Sequence, residues 1–251
     1  MPFLPWYEVI ELVCIVLVIA LPLLRLWPVL ERSSGASRTL RAIWQWPYAT
    51  HALVIALGIS VFFIVAEDTL DGTPNELFPW IDHVVHHVNR SVVSAPLVRR
   101  AAAIVSDLTG IGLVAAVVTG TLCLGFVRRR REALALVIGT GAAWLVSGLL
   151  KLGFGVARPR SSMGYGFPSG HALVTVVGCG LLLWTLAQLH GASPRFSRCC
   201  GGAIALGLIA GAARVVLDAH WVSDVIGGVA IGSVWLSLVV VGLSRYRTAA
   251  G

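Results

Sequence analysis

Apolar residues run along this chain in long blocks, without the strict alternation of a half-buried strand or the one-sided spacing of a surface helix. Blocks at 9–24, 48–66, 104–127, 133–150, 172–189, 202–217 and 222–243 each approach the roughly 20 helical residues needed to cross about 30 Å of hydrocarbon. Strands would leave backbone groups unpaired in lipid unless they closed into a barrel, and the alternation a barrel requires is not present. The pattern predicts an all-α, polytopic transmembrane bundle of about six or seven spans, the count turning on the first block. The residues before that block carry Glu8 and no Lys or Arg, the wrong charge for a signal peptide, so it is read as a span.

Two polar interruptions are long. The first, 31–46, sets an N-terminal span with its basic linker (1–47) apart from the main membrane domain (48–251). The second, 67–100, places His83, His86 and His87 among Trp80, Ile81, Val84, Val85 and Val88. His83 and His87 would share a helical face, as two metal ligands would. An amphipathic helix on the outer membrane surface explains the same pattern without a third ligand, and it is the expectation adopted.

Composition agrees with a membrane protein: 57% of residues are hydrophobic and 12% charged, against about 25% charged in ordinary soluble domains. Arginines at 25, 32, 38 and 41, at 128–131, at 195 and 198, and at 245 and 247 all follow odd-numbered blocks. They mark one side as cytoplasmic, which leaves the loop between the fourth and fifth blocks extracytoplasmic. The net charge of +7 is accounted for by these topology signals and one further loop, so no nucleic-acid partner is implied; the bilayer and its anionic lipid are the natural partners. Cys14, Cys123 and Cys179 lie inside apolar blocks, and Cys199 and Cys200 are adjacent, a distribution that implies neither a disulfide framework nor a metal site.

Chemistry is concentrated in three places. Between the fourth and fifth blocks the chain reads Arg158-Pro-Arg-Ser-Ser-Met-Gly-Tyr-Gly-Phe-Pro-Ser-Gly-His171. A helix starting there would aim free N–H groups, at Ser169 and Gly170, into a loop that carries Arg158 and Arg160, which suits an anion such as phosphate; His171 could exchange a proton with it. The fourth block ends in Lys151, the single lysine beside eighteen arginines. A compact ammonium donates to a phosphoryl oxygen as a point charge, where a guanidinium imposes a planar fork. After the sixth block come Arg214, His220 and Asp224. If His220 starts a helix, Asp224 lies one turn on and can hold one imidazole nitrogen, leaving the other bare and nucleophilic. Alternating span directions bring all three clusters to one membrane face.

These residues resemble the signature of the type 2 phosphatidic acid phosphatase superfamily of membrane lipid phosphatases. Lys151 is followed after six residues by Arg158-Pro159, then comes Pro168-Ser169-Gly170-His171, then Arg214 with His220 after five residues and Asp224 after three more. The resemblance covers 151–224. It implies a phosphatase in which His220 attacks phosphorus to form a phosphohistidine, Asp224 orients it, and His171 protonates the leaving oxygen. It further implies that Lys151, Arg158, Arg214 and the Ser169–Gly170 turn hold the phosphate, with no metal or other cofactor. The implied substrate is a lipid phosphate, such as phosphatidic acid, phosphatidylglycerophosphate or a polyprenyl (undecaprenyl) diphosphate, met at the outer face of a plasma membrane. Two features depart from the family: Ala213 stands where it has serine, and only residues 160–167 separate Pro159 from Pro168. A transporter, or a binding-only member of the same family, is the alternative. The confinement of ionisable residues to one face argues against the first, and the intact His171, His220 and Asp224 against the second.

Overall fold

The computed structural model describes residues 48–71, 76–92, 95–160, 164–190 and 196–248, so the first apolar block and the basic linker lie outside the described residues. The described chain forms α1 (Ala49–Asp71), a shorter α2 (Leu77–Val92), α3 (Pro96–Phe126), α4 (Arg130–Phe154), α5 (Gly170–Leu189), α6 (Phe196–Val216) and α7 (Val222–Thr248). All but α2 are long and apolar enough to cross a membrane, giving six candidate spans in an all-α protein.

Two spans start earlier than hydropathy suggests. α3 begins at Pro96, which suits the first helical position because its missing N–H has no intrahelical partner there. Its polar first turns hold Arg99, whose Nη2 lies 3.1 Å from Asp218 Oδ2 on the far side of a loop. α6 begins at Phe196, so Cys199 and Cys200 belong to its first turns and Cys200 is buried. Within α3, residues Leu108–Gly112 form a π-helical turn. Thr109 Oγ1 donates to Val105 O at 2.8 Å there, and two glycines follow, both of which loosen the regular ladder.

α5 and α7 are the central spans, each with 61% of its apolar window buried against 22–33% for the others. Val176, Val177 and Leu181 of α5 meet Leu236 and Val240 of α7 in the main core. The two backbones approach closely at Gly228, where an added Cβ would lie 2.5 Å from Ser169 O. Phe63, Ile111, Phe126, Leu145 and Leu152 stay exposed, as expected of a bundle whose solvent is lipid. A second cluster joins Phe62 and Val65 of α1, Phe78 of α2 and Phe167. Phe167 is fully buried, 5.5 Å from the Phe62 ring and 5.1 Å from that of Phe154 between centroids, which anchors the loop entering α5.

The interruption at 67–100 does contain an amphipathic helix, α2, but it packs against α7 and α1 and does not only rest on lipid. Its polar residues Asp82 and Asn89 point into the protein and are buried.

Candidate active site

The C-terminal ends of α4 and α6 and the N-terminal ends of α5 and α7 meet at one end of the bundle. His220 lies in the connection between α6 and α7, two residues before the helix and not on it as the spacing implied. Asp224, in the first turn of α7, reaches back instead. Its Oδ2 accepts from His220 Nδ1 at 2.9 Å and from the Trp221 N–H at 3.0 Å. Both side chains are buried, with His220 2% exposed and Asp224 0%. A carboxylate beside Nδ1 fixes the proton there, so Nε2 carries the free lone pair.

The loop from α4 to α5 closes over this pair. Gly155 ends α4 in the left-handed conformation, its N–H donating to Lys151 O. The returning chain is tied by the Gly166 N–H to Val156 O at 2.7 Å and by the Ala157–Tyr165 bridge. Gly166 then passes so close to Asp224 that a Cβ would sit 2.7 Å from Oδ2. Lys151 Nζ donates to Gly166 O at 2.9 Å and Tyr165 O at 3.3 Å, and Arg158 Nε donates to Tyr165 O at 3.2 Å. These bonds hold the roof while leaving other donors of both cations available.

A cis peptide joins Phe167 to Pro168, and Ser169 caps α5. Ser169 Oγ accepts from the Ala172 N–H at 3.5 Å and the Ser169 N–H donates to Asp224 O at 2.8 Å. Ser169 thus connects the two helix starts, and the first-turn N–H groups left to face a ligand are those of Gly170 and His171. Gly170 backs onto α4, where a Cβ would be 3.0 Å from Ser147 Oγ and 3.9 Å from Lys151 Cε. His171 faces the π-helical turn of α3: a Cβ on Gly110 would be 3.3 Å from its Nε2.

Arg214 sits in the last turn of α6, its Nη1 donating to Ser106 Oγ at 3.1 Å. A hydroxyl from α3 therefore meets the guanidinium in a chain whose residue 213 has none; Ala213 itself is buried. Arg214 Nε is buried without a protein partner.

The cationic charges of Arg214, Lys151 and Arg158 all act on His171. Burial pushes the His220 imidazole below its ordinary 6.5, the Asp224 hydrogen bond and charge oppose this, and the Lys151 and Arg158 cations lower it further. His220 is accordingly neutral near pH 7.

Sequence reasoning missed Ser106, Asp82, Asn89 and Asp218. Asp82 accepts from the Ser223 N–H at 3.0 Å and from Ser223 Oγ at 2.5 Å, one residue from Asp224. Asp82 and Asn89 are seven apart, hence on one helical face, a signal that the three histidines obscured. His83 and His86 pack on Trp221 instead, with ring centroids 6.1 and 5.3 Å away. Among the described residues no three His, Cys, Asp or Glu side chains converge as metal ligands.

A transmembrane PAP2-type phosphatidylglycerolphosphate phosphatase from Bacillus subtilis, known from its crystal structure, superposes with a TM-score of 0.63 at 19% identity, covering 75% of this chain and 96% of that one. At that identity the likeness is one of fold. Among curated proteins none matches the chain in sequence. Residues 132–247 match the family model described as PAP2 superfamily, a region that holds Lys151, Arg158, His171, Arg214, His220 and Asp224. The chain is an integral membrane protein whose residues 132–247 form a PAP2-superfamily region.

Proposed function

We propose that this protein hydrolyses the terminal phosphate of a membrane lipid phosphate through a phosphohistidine at His220. The observation that carries the reading is the buried His220–Asp224 pair, 2.9 Å apart, within electrostatic range of Lys151 and Arg158. Neutral His220 attacks phosphorus through Nε2, and Asp224 stabilises the positive charge that develops on the ring. His171 gives a proton to the departing lipid oxygen and then takes one from the water that releases phosphate. Lys151, Arg158, Arg214 and the first-turn N–H groups of α5 bear the charge on the equatorial oxygens, the largest demand in phosphoryl transfer. Ser169 serves the site by fixing that first turn and the backbone of Asp224.

The six candidate spans favour a substrate whose tail stays in the bilayer. Phosphatidic acid, phosphatidylglycerophosphate and a polyprenyl diphosphate all meet that requirement. Arg128 to Arg131 lie at the opposite end of the bundle from the site, which supports an extracytoplasmic active site. Phosphate release from these three lipids by the purified protein in detergent tests the reading. Turnover of at least one is expected, and inertness toward all three would refute it.

A further inference from the structure

Helix α2 carries none of the motif residues, yet it holds both ends of the connection that carries His220. At the far end the first turn of α7 needs acceptors for its N–H groups, and the side chain of Trp221, in the capping position, has no acceptor to offer. Asp82 supplies them from α2, taking the Ser223 N–H at 3.0 Å and its hydroxyl at 2.5 Å. At the near end the last carbonyls of α6 need donors. Asn89 Nδ2 supplies these, reaching Val215 O at 3.1 Å, Val216 O at 3.3 Å and Asp218 Oδ1 at 2.6 Å. Asp218 has a left-handed φ of 56° and is also gripped by Arg99, so the turn there is bound from α2 and α3 together.

Asp82 and Asn89 are 8% and 4% exposed. A helix that merely floats at the membrane surface turns such groups toward water. Here they point inward, and a narrow cavity lies between α2 and the nucleophile, bounded by Asp82, His86, Pro159, His220 and Trp221.

We propose that α2 is a positioning element for phosphoryl transfer, in which Asp82 and Asn89 clamp the two ends of the His220 connection and so hold His220 against Asp224. The inference rests on the reading of His220 as the nucleophile. Neither residue is catalytic: Asp82 acts through Ser223 on the neighbouring Asp224, and Asn89 acts through the end of α6 and Asp218. Without the clamp both helix ends can fray, and the imidazole loses its fixed distance to the phosphorus.

The test compares Asp82→Ala, Asp82→Asn, Asn89→Ala and Val84→Ala, the last on the exposed face of α2. Because misplacement by about 1 Å costs roughly a hundredfold, kcat should fall about 10- to 100-fold in the two clamp alanine variants with KM within about twofold. Asp82→Asn keeps an acceptor for the Ser223 N–H and offers a donor to its hydroxyl, so it should restore kcat to within about threefold of wild type. Val84→Ala should match wild type. Hydrogen exchange at 217–223, which needs no turnover, should quicken in both clamp alanine variants and not in Asp82→Asn. Unchanged kcat and exchange in Asp82→Ala and Asn89→Ala would overturn the proposal. So would an Asp82→Asn as slow as Asp82→Ala, or a rise in KM at constant kcat. If Asp82→Ala fails to accumulate, Asn89→Ala and Asp82→Asn decide the matter. Wild-type turnover and its loss in His220→Ala, measured alongside, report on the phosphatase reading itself, so failure of one is told from failure of the other.

Discussion

Asp224 Oδ2 accepts two hydrogen bonds at once, from His220 Nδ1 at 2.9 Å and from the Trp221 N–H at 3.0 Å. One oxygen thereby sets the tautomer of the imidazole and closes the first turn of α7. The arrangement is half of a capping box put to chemical use, with the carboxylate three residues into the helix reaching back to the capping N–H.

Asp224→Asn keeps the size of the side chain and removes its charge. The amide can present its nitrogen to Nδ1 and so select the wrong tautomer, and it cannot stabilise a cationic ring. Turnover should fall by roughly a thousandfold or more in a phosphate-release assay, by analogy with other carboxylate–histidine pairs. Activity within about tenfold of wild type would mean that the carboxylate serves the helix start alone, since the pair's charge then contributes little.

Lys151→Arg keeps the charge and changes its shape. The ammonium is placed by the Gly166 and Tyr165 carbonyls beneath a loop, and a planar fork on a longer stem cannot take the same position. The expected loss is about a hundredfold in turnover with little change in thermal stability. Activity within about twofold of wild type would reduce Lys151 to a helix-end anchor of the snorkelling kind.

Gly166→Ala tests the roof of the site. The added Cβ would sit 2.7 Å from Asp224 Oδ2, so either the loop or the carboxylate must shift. A fall in kcat of about tenfold or more is expected, because the displaced group is the one orienting His220. Full activity would show that the loop moves away from Asp224 at no cost to the chemistry.

The spans, the three clusters and their convergence were legible in the sequence because each depends on short-range information: block length, motif spacing and the alternation of span direction. The placement of His220 just outside the helix was not. The i to i+4 spacing is the same whether the histidine is helical or whether Asp224 reaches back to it, and the difference lies in the Trp221 N–H that the carboxylate also takes. Asp82, Asn89 and Ser106 were hidden for another reason. Asp82 reaches Ser223, Asn89 reaches Asp218 and Arg214 reaches Ser106 across more than 100 residues of chain, so no local pattern links the partners. The expected surface role for α2 came from its apolar face, which is real; its polar face turned out to be the informative one.

Asp82 also gives a pH signature. Burial first, and the nearby Asp224 charge in addition, push its carboxyl up to about 6, while the bonds from Ser223 oppose the shift. A raised carboxyl pKa means that stability present below the unfolded value of 3.8 is lost as pH rises through about 6. Asp82→Asn should therefore raise the apparent Tm by a few degrees at pH 7.5, with the gain vanishing near pH 4. His220 works in the opposite sense. Its lowered pKa costs folding stability below pH 6.5, and His86, also near the cavity, contacts Asp218 at 3.7 Å. Comparing Asp82→Asn with wild type at both pH values isolates the Asp82 contribution, because both proteins share His220 and His86; an equal difference in Tm at pH 4 and 7.5 would contradict it.

The central claim is that His220 is the nucleophile, and His220→Ala tests it most directly. The purified variant, checked for its melting transition and its elution as a single species, is assayed for phosphate release on whichever lipid phosphate the wild type hydrolyses. Loss of a nucleophile that forms a covalent intermediate removes the whole pathway, so turnover should drop below roughly 1% of wild type in a folded protein. A folded His220→Ala that keeps more than a few per cent of wild-type turnover would place the nucleophile elsewhere and contradict the account.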